Sequence, residues 1–461
     1  MSETKLLRVD VAVLGAGTAG LAAYRAAAGA GARALLIDPG PYGTTCARVG
    51  CMPSKLLIAA AEAAHEAREA GPFGVRASVE VDGRAVMARV KAERDRFVGF
   101  VVRGVEQIPE RDLLRARGRF VGPGVIEAGG SRVEARSVVL ATGSSPVVPS
   151  VFEAVRGRVI VNDDVFAWDE LPGSVAVFGA GVIGLELGQA LRRLGVRVRV
   201  FGRGGGVGPL SDPAVIEAAK GALGAELPID FDADVRGLRR SGDQVVVSFR
   251  EGGEEREERF DWALVAAGRR PNLASLDLDA AGVALQDGKL AGFDRGTLRL
   301  GGTSVFVAGD ANDDVPLLHE AADEGKIAGE NAARYPDVRP GPRRTPLGIA
   351  FTDPQIAVIG ASFSEVSRRG GFVVGEVSFD DQGRSRVMRK NRGVLRLYAD
   401  AASGRLLGAE AAGPRVEHLA HLLAWSHQAG LTVAGMLAMP FYHPVVEEGL
   451  RTALRDAASK L

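Results

Sequence analysis

The run Val9-Asp10-Val11-Ala12-Val13-Leu14-Gly15-Ala16-Gly17-Thr18-Ala19-Gly20 decides how this chain folds. Its first six residues are mostly apolar and β-branched, which reads as a buried parallel strand. Glycines then punctuate the chain, and an Ala-rich helix continues to about Ala30. A second strand, Ala34 to Ile37, ends at Asp38. Strand, glycine turn, helix, strand and terminal acid in that order form the dinucleotide fingerprint. Gly15, Gly17 and Gly20 let the backbone approach a pyrophosphate, where the helix N-terminus offers N–H groups and a favourable dipole. Asp38 is placed to accept from both hydroxyls of a ribose.

The pattern returns at Val175. Val-Ala-Val-Phe leads into Gly179-Ala180-Gly181-Val182-Ile183-Gly184-Leu185-Glu186, then a helix to Leu194 and a strand from Val196 to Phe201. Two such folds point to two dinucleotides, and hydride passage between a nicotinamide and a flavin is the simplest chemistry that needs both. Asp38 lies 23 residues after Gly15, and the same offset from Gly179 reaches Gly202, followed by Arg203. The acid that would hold a ribose 2′-hydroxyl is therefore missing from the second copy. Arg203 suits a 2′-phosphate, which favours NADP over NAD; the other reading makes it a surface charge in a glycine loop.

Between the two fingerprints stands Gly43-Thr44-Thr45-Cys46-Ala47-Arg48-Val49-Gly50-Cys51-Met52-Pro53-Ser54-Lys55, which contains both cysteines of the 461-residue chain. On a regular helix this spacing turns the side chains roughly 140° apart. Pairing requires a distorted helix start, which Gly50 and Pro53 permit. Two readings stand at this point: a redox disulfide carrying two electrons, or two small buried thiols.

Lys+Arg and Asp+Glu are both 57, so zero net charge gives no reason to expect nucleic acid or an acidic membrane as partner. No apolar run is long enough to span a bilayer. The N-terminus lacks the apolar stretch of a secretory signal. Two cysteines without such a signal fit the cytoplasm. The length allows about three or four domains. Residues 54–70 and 84–107 read as helices, with His65 on a solvated face. Strands follow through Gly118-Arg119-Phe120 and Val138 to Leu140, closed by the turn Ala141-Thr142-Gly143-Ser144. Residues 228–265 read as strands, and the segment Ala266 to Asn272, which contains Gly268, ends the second nucleotide unit. Val305 to Ala308 forms a strand ending at Gly309-Asp310, and a helix opens near His319. Beyond about 341, strands near 349–351 and 394–398 alternate with helices at 363–369 and 415–429, an α+β arrangement. His418 and His421 have no third ligand nearby in sequence and read as a polar helix face. His443 stands beside Pro444, with Glu448 five residues on at the start of the last helix. A carboxylate that orients an imidazole makes an acid–base pair.

These features together resemble the flavin-dependent pyridine nucleotide-disulfide oxidoreductases, the family of dihydrolipoamide dehydrogenase and glutathione reductase. The likeness runs from about residue 8 to 455, and Cys-x4-Cys-x-Pro-Ser-Lys is its most specific part. It implies an α/β fold: two Rossmann-like dinucleotide-binding domains and a C-terminal α+β dimerisation domain. The boundaries expected are 1–149 for the first part of the FAD domain, 150–272 for the NAD(P) domain, 273–340 for a return to the FAD and central domain, and 341–461 for dimerisation.

By this resemblance Cys46 exchanges with substrate and Cys51 faces the flavin. Lys55 lies near the flavin and pairs with Glu186. Asp38, Gly118, Thr142, Gly143, Asp310 and His319 fall at FAD positions. Gly179, Gly181, Gly184, Glu186, Gly202, Val235 and Gly268 fall at nicotinamide-nucleotide positions. A homodimer is implied, in which His443 and Glu448 serve the partner's Cys46. The substrate is a small dithiol or disulfide, or a lipoyl domain.

The chain also departs from the pattern. Thr44 stands where the family has glycine and Arg48 where it has asparagine; Arg48 is a candidate to stabilise thiolate or bind an anionic substrate. Phe441-Tyr442-His443-Pro444-Val445 replaces the usual His-Ala-His-Pro-Thr. Pro-Ser-Lys, the Cys46 to Cys51 spacing and the chain length make a dihydrolipoamide dehydrogenase-like enzyme the expected function, and Gly202-Arg203 make an NADPH-driven disulfide reductase of the glutathione reductase type the alternative. The last residues, Arg451 to Leu461, hold no cysteine, which argues against mercuric reductase and large thioredoxin reductase activities. Cys46 argues against a soluble transhydrogenase. A flavoprotein scaffold without activity is the remaining alternative.

Overall fold

The computed structural model describes residues 5–461, which divide into two compact units, each built from separated segments. The first comprises the chain up to Pro53, Lys91–Val147 and Arg269–Arg343. Lys5–Leu14 is the strand of the first fingerprint, and it pairs in parallel with Ala34–Ile37 on one side and Ser131–Leu140 on the other. Val305–Val307 joins the far side of Ser131–Leu140, also in parallel. Both faces of the first strand are covered. Val11 and Val13 pack with residues of the helices Thr18–Gly29 and Leu318–Arg334, while Ala12 and Leu14 pack with Phe120 and Ile126. A parallel strand buried on both sides has to be apolar throughout, which is why this run shows no alternation. Each such Val or Leu contributes about 1.5–3 kcal/mol when fully buried.

The turn after this strand works because two positions have no Cβ. A Cβ on Gly20 would run into the Gly15 carbonyl oxygen, and one on Gly15 into that of Ala141. The helix can thus start directly against the strand end, with its N–H groups facing outward.

The second unit comprises Ser54–Val90, Val148–Gly268 and Arg344–Leu461. Its parallel sheet runs in the order Ile229–Asp230, Arg197–Phe201, Ser174–Phe178, Trp262–Val265, Val159–Ile160. A three-stranded antiparallel sheet, Asp234–Ser241, Gln244–Glu251 and Glu254–Phe260, accompanies it. Phe152, Phe178, Phe201, Phe249 and Phe260 fill the space between, with ring centroids 4.9 Å apart for Phe152 and Phe178 and 5.2 Å for Phe178 and Phe201. The C-terminal part is an antiparallel five-stranded sheet in the order Leu347–Ala350, Gln355–Gly360, Leu406–Gly413, Val394–Asp400, Phe372–Ser378. Helices Val416–Gln428 and Glu448–Ala458 cover it with Leu419, Leu423, Leu450 and Leu454, spaced to fall on one face of each helix.

His65 departs from expectation. It lies on the helix Cys51–Arg68, yet it is half-buried, 3.8 Å from Glu226, not on a solvated face. Burial, and after it the charge of Arg193, hold its imidazole below the ordinary value. The cause is that this helix packs inside the unit, where Arg68 donates to the Arg193 carbonyl. His418 and His421 are exposed, and no cluster suited to a metal occurs among the described residues. Nor is any described helix long and apolar enough to cross a membrane.

Glu410 anchors the second unit. Fully buried, it accepts from the Ser211 N–H at 2.7 Å, the Ser211 hydroxyl at 2.5 Å, the Asp212 N–H at 2.8 Å and the Phe363 N–H at 2.8 Å. Removing an acceptor that serves four donors leaves buried N–H groups unpaired. Glu410→Ala is expected to lower stability by about 3 kcal/mol, read as a lower urea midpoint; an unchanged midpoint would contradict this.

Candidate active site

The two cysteines flank a break in the helix. Thr45–Val49 forms a short helical turn, Gly50 leaves helical geometry at φ −127°, ψ −119°, and the long helix starts at Cys51. A Cβ on Gly50 would press on the Thr45 carbonyl and the Cys46 Cα. The break cancels the roughly 140° divergence of an unbroken helix. Both residues stand as thiols in contact, with Cys46 half-buried and Cys51 more exposed. The hydrogen bond to Cys51 first, then burial and the charge of Cys51, push the Cys46 thiol well above its usual range. A thiol held protonated in this way needs a base before it can attack anything.

The departures from the family pattern acquire structural content. Thr44 caps the short turn, its hydroxyl accepting from the Ala47 N–H at 3.3 Å, but it does so at φ 60°. A β-branched residue in that region is strained. Arg48 is half-buried and donates from Nη1 to the Pro41 carbonyl at 3.5 Å. The forces on Cys46 come from Cys51, burial and the Met52 N–H.

Four residues after Cys51, Lys55 donates to both oxygens of Glu186, at 2.9 and 2.7 Å. Glu186 is buried and accepts a third bond, from the Phe351 N–H at 2.8 Å. The Phe351 ring lies 4.7 Å from the Lys55 ammonium. Glu186, Gln189 and Arg193 share one face of the helix Val182–Arg193 and grip the same loop. Gln189 accepts from the Asp353 N–H and donates to the Asp353 carbonyl, each at 2.8 Å, and Arg193 meets the Asp353 carboxylate at 3.1 Å. Burial works to raise the Asp353 carboxyl, but Lys390 and Arg193 outweigh it and hold it below the usual range. Its contribution to stability is therefore complete above an ordinary carboxylate pKa of about 4 and is lost only as pH falls below that. A small cleft opens here, lined by Glu62, Glu186, Arg193 and Asp353. Phe351, Asp353, Gln189 and Arg193 escaped the sequence reading. The Glu-x2-Gln-x3-Arg spacing on a helix was the available signal; nothing local marks Phe351.

The first glycine turn is ringed by polar groups. Asp38 accepts from the Ala16 N–H at 2.7 Å and the Gly40 N–H at 2.6 Å, and each carboxylate oxygen keeps a second lone pair for a ligand. Gly118 packs on Leu14 and Ile126. Gly143 has φ 67°, and its carbonyl accepts from the Asn272 N–H at 2.9 Å. The Ser144 hydroxyl donates to Asp310 at 2.6 Å. His319 is exposed near the start of its helix. Thr142 Oγ1 is buried and makes no hydrogen bond among the described residues.

In the second copy a Cβ on Gly184 would strike the Gly179 carbonyl, repeating the first turn, and Gly181 is exposed. Gly202 differs from its counterpart Asp38. Its Cβ would lie 2.7 to 2.9 Å from backbone atoms of Phe231 and Asp230, so no side chain fits there. Arg203 is exposed beside it, and Lys220 Nζ would lie 3.8 Å from a Cβ on Gly205. Val235 is half-buried on the strand Asp234–Ser241, and Gly268 is exposed at φ 108°.

His443 Nδ1 is 2.9 Å from Glu448 Oε2. Glu448 also accepts from Arg451 at 2.8 Å and, more weakly, from the Val445 N–H at 3.4 Å. Desolvation acts to raise this carboxyl; the bonds to His443 and Val445 and the charges of His443 and Arg451 prevail and lower it. An ionised carboxylate only accepts, so Nδ1 carries the hydrogen and the neutral ring presents its Nε2 lone pair.

Comparison with known proteins agrees with this picture. Residues 9–325 match the pyridine nucleotide-disulphide oxidoreductase family, and residues 347–454 match the family's dimerisation domain. A dihydrolipoyl dehydrogenase of Halobacterium salinarum is 31% identical over 97% of this chain and 96% of its own. A mercuric reductase of Acidithiobacillus ferrooxidans is also 31% identical, over 96% of this chain and 82% of its own. The HOCl-induced flavoprotein disulfide reductase RclA of Escherichia coli shares the fold, with a TM-score of 0.81 at 22% identity over 98% of this chain and 99% of its own. The chain belongs to the pyridine nucleotide-disulphide oxidoreductases. Members of this family are flavin-dependent enzymes that use FAD and NAD(P)H. The residues present fit such a group: the first turn leaves room for a pyrophosphate, and the buried, unpartnered Thr142 hydroxyl lacks the hydrogen bond a ligand would supply.

Two substitutions test these constraints. Thr44→Gly relieves the strained φ and is expected to stabilise the protein by about 1 kcal/mol despite losing a weak cap, seen as a higher melting temperature; a lower one would show that the cap dominates. Gly202→Glu is expected to cost roughly 1–3 kcal/mol by crowding the Asp230–Phe231 backbone, without improving the KM for NADH. A stable Gly202→Glu enzyme with tighter NADH use would contradict the crowding argument.

Proposed function

We propose that this chain is an NADPH-linked, FAD-dependent disulfide reductase, acting as a homodimer with Cys46 and Cys51 as its redox pair. The observation that carries the reading is the thiol–thiol contact across the break at Gly50. FAD, when bound, supplies the two-electron exchange between nicotinamide and the thiols. The remaining steps belong to the chain's own side chains. The Cys46 proton passes to Nε2 of the partner subunit's His443, and Glu448 beside that ring stabilises the imidazolium. Cys46 thiolate attacks one sulfur of the substrate disulfide. That S–S bond breaks, a Cys46–substrate disulfide forms, and the departing thiolate takes the proton back from the imidazolium. Cys51 then attacks the Cys46 sulfur, the second substrate thiol leaves with the Cys51 proton, and the Cys46–Cys51 bond closes. The substrate gains two electrons and the cysteine pair loses two.

The preference for NADPH is supported by Gly202, which has no room for an acid, and by the cations Arg203 and Lys220 at its glycine loop. The second reading, a dihydrolipoyl dehydrogenase working with NAD, is favoured by relatives 31% identical that carry that name.

Anaerobic titration of the flavin-loaded protein with NADPH and, separately, NADH tests both. The expected result is a long-wavelength absorbance band of thiolate beside flavin, produced at lower NADPH than NADH. Preference for NADH would transfer the case to the dihydrolipoyl reading. Bleaching without the band would remove Cys51 from its role. His443→Ala is expected to slow disulfide turnover by about 10²–10⁴-fold, the range for loss of a general acid–base, with the nicotinamide-driven absorbance change retained. Loss of both together would place His443 outside the interchange step.

A further inference from the structure

We propose that Ser144 and Arg269 are positioning residues that direct the Asp310 carboxylate toward a flavin hydroxyl, an inference resting on the reading of Asp310 as a flavin-binding acid. The argument is one of hydrogen-bond polarity. Arg269 can only donate. Its Nε donates to the Ser144 hydroxyl oxygen at 2.8 Å, and its Nη2 donates to the Ser144 carbonyl at 2.8 Å. A serine hydroxyl has one hydrogen. With Arg269 donating to the oxygen, that hydrogen is left for Asp310 Oδ2, 2.6 Å away. Oδ1 makes no hydrogen bond among the described residues. One oxygen of Asp310 is thus engaged by the protein, and the other remains an acceptor for a ligand hydroxyl.

The same turn is fixed from behind. Glu324 accepts from the Gly309 N–H at 2.8 Å and the Asn312 side chain at 2.8 Å, and Arg343 donates to it at 2.7 Å. The segments that carry Ser144 and Arg269 are themselves joined in antiparallel register, with Arg269 opposite Pro146 and Pro271 opposite Ser144. Asn272 adds a bond to the Thr142 carbonyl at 3.0 Å, beside the buried Thr142 hydroxyl that lacks a partner. The residue that follows Gly268 therefore helps to shape the acid on which flavin would close. Neither Ser144 nor Arg269 stands out in the sequence as a partner of Asp310, because Ser144 and Arg269 are 125 positions apart and Ser144 and Asp310 are 166 apart.

The test strips FAD from the full-length protein and measures its return by quenching of flavin fluorescence, alongside melting of the apo and FAD-loaded forms. Asp310→Asn is expected to weaken FAD binding roughly a hundredfold, as befits a charge-assisted bond. Ser144→Ala and Arg269→Met are each expected to weaken it about tenfold, the scale of one hydrogen bond. Ser144→Thr, which keeps the hydroxyl, restores binding. The apoproteins should melt like the parent, and only the stabilisation added by FAD should shrink. If Asp310→Asn binds FAD like the parent, the reading of Asp310 fails. If Asp310→Asn loses FAD while Ser144→Ala and Arg269→Met do not, Asp310 stands and this inference fails. Apoproteins destabilised as much as the loaded forms would also overturn it, since that is the mark of a merely structural role.

Discussion

The buried carboxylate of Glu186 holds together the segments of the second unit that meet at Lys55. It accepts two bonds from Lys55 and one from the Phe351 backbone. It therefore ties together the helix that starts at Cys51, the helix that follows the second glycine turn, and the loop after the strand Leu347–Ala350. A buried carboxylate is tolerated only when its oxygens are satisfied, so these three segments must meet in one arrangement. Gln189 and Arg193 extend the same grip along the helix face. The Phe351 ring covers the Lys55 ammonium, where an apolar surface strengthens its pairing by limiting water.

The dithiol shows the opposite strategy, local strain in place of a deep network. Gly50 interrupts the helix so that sulfurs five positions apart can touch, and Thr44 holds the start of the turn at a positive φ. The resulting contact raises the Cys46 thiol. Reactivity then depends on a base that the same segment does not contain. The two nucleotide turns differ by a similar physical argument. At Asp38 there is room for a carboxylate, which backbone N–H groups orient. At Gly202 the backbone of residues 230 and 231 occupies the equivalent space.

One device recurs in each of the two units. A partner with a single hydrogen-bonding sense dictates the orientation of an ambiguous one. Glu448 can only accept, so the His443 hydrogen sits on Nδ1. Arg269 can only donate, so Ser144 turns its hydrogen to Asp310. In each case a residue that need not touch a ligand sets the state of the one that would.

The sequence by itself determined the strand–glycine–helix turns at Gly15 and Gly179 and the closeness of His443 to Glu448 along the chain, and it permitted a break between Cys46 and Cys51. These follow from sterics and spacing within a few residues, which any chain with that pattern must obey. Only the tertiary structure decided which distant groups meet. Glu186 and Phe351 are 165 positions apart. His65 looks polar on its helix, yet burial beside Arg193 lowers its imidazole. The crowding at Gly202 comes from residues 230 and 231, well along the chain. Such contacts depend on sheet register and on which helix face packs inward. Those are settled by the sum of apolar burial over a whole unit, and no short stretch of sequence carries that sum.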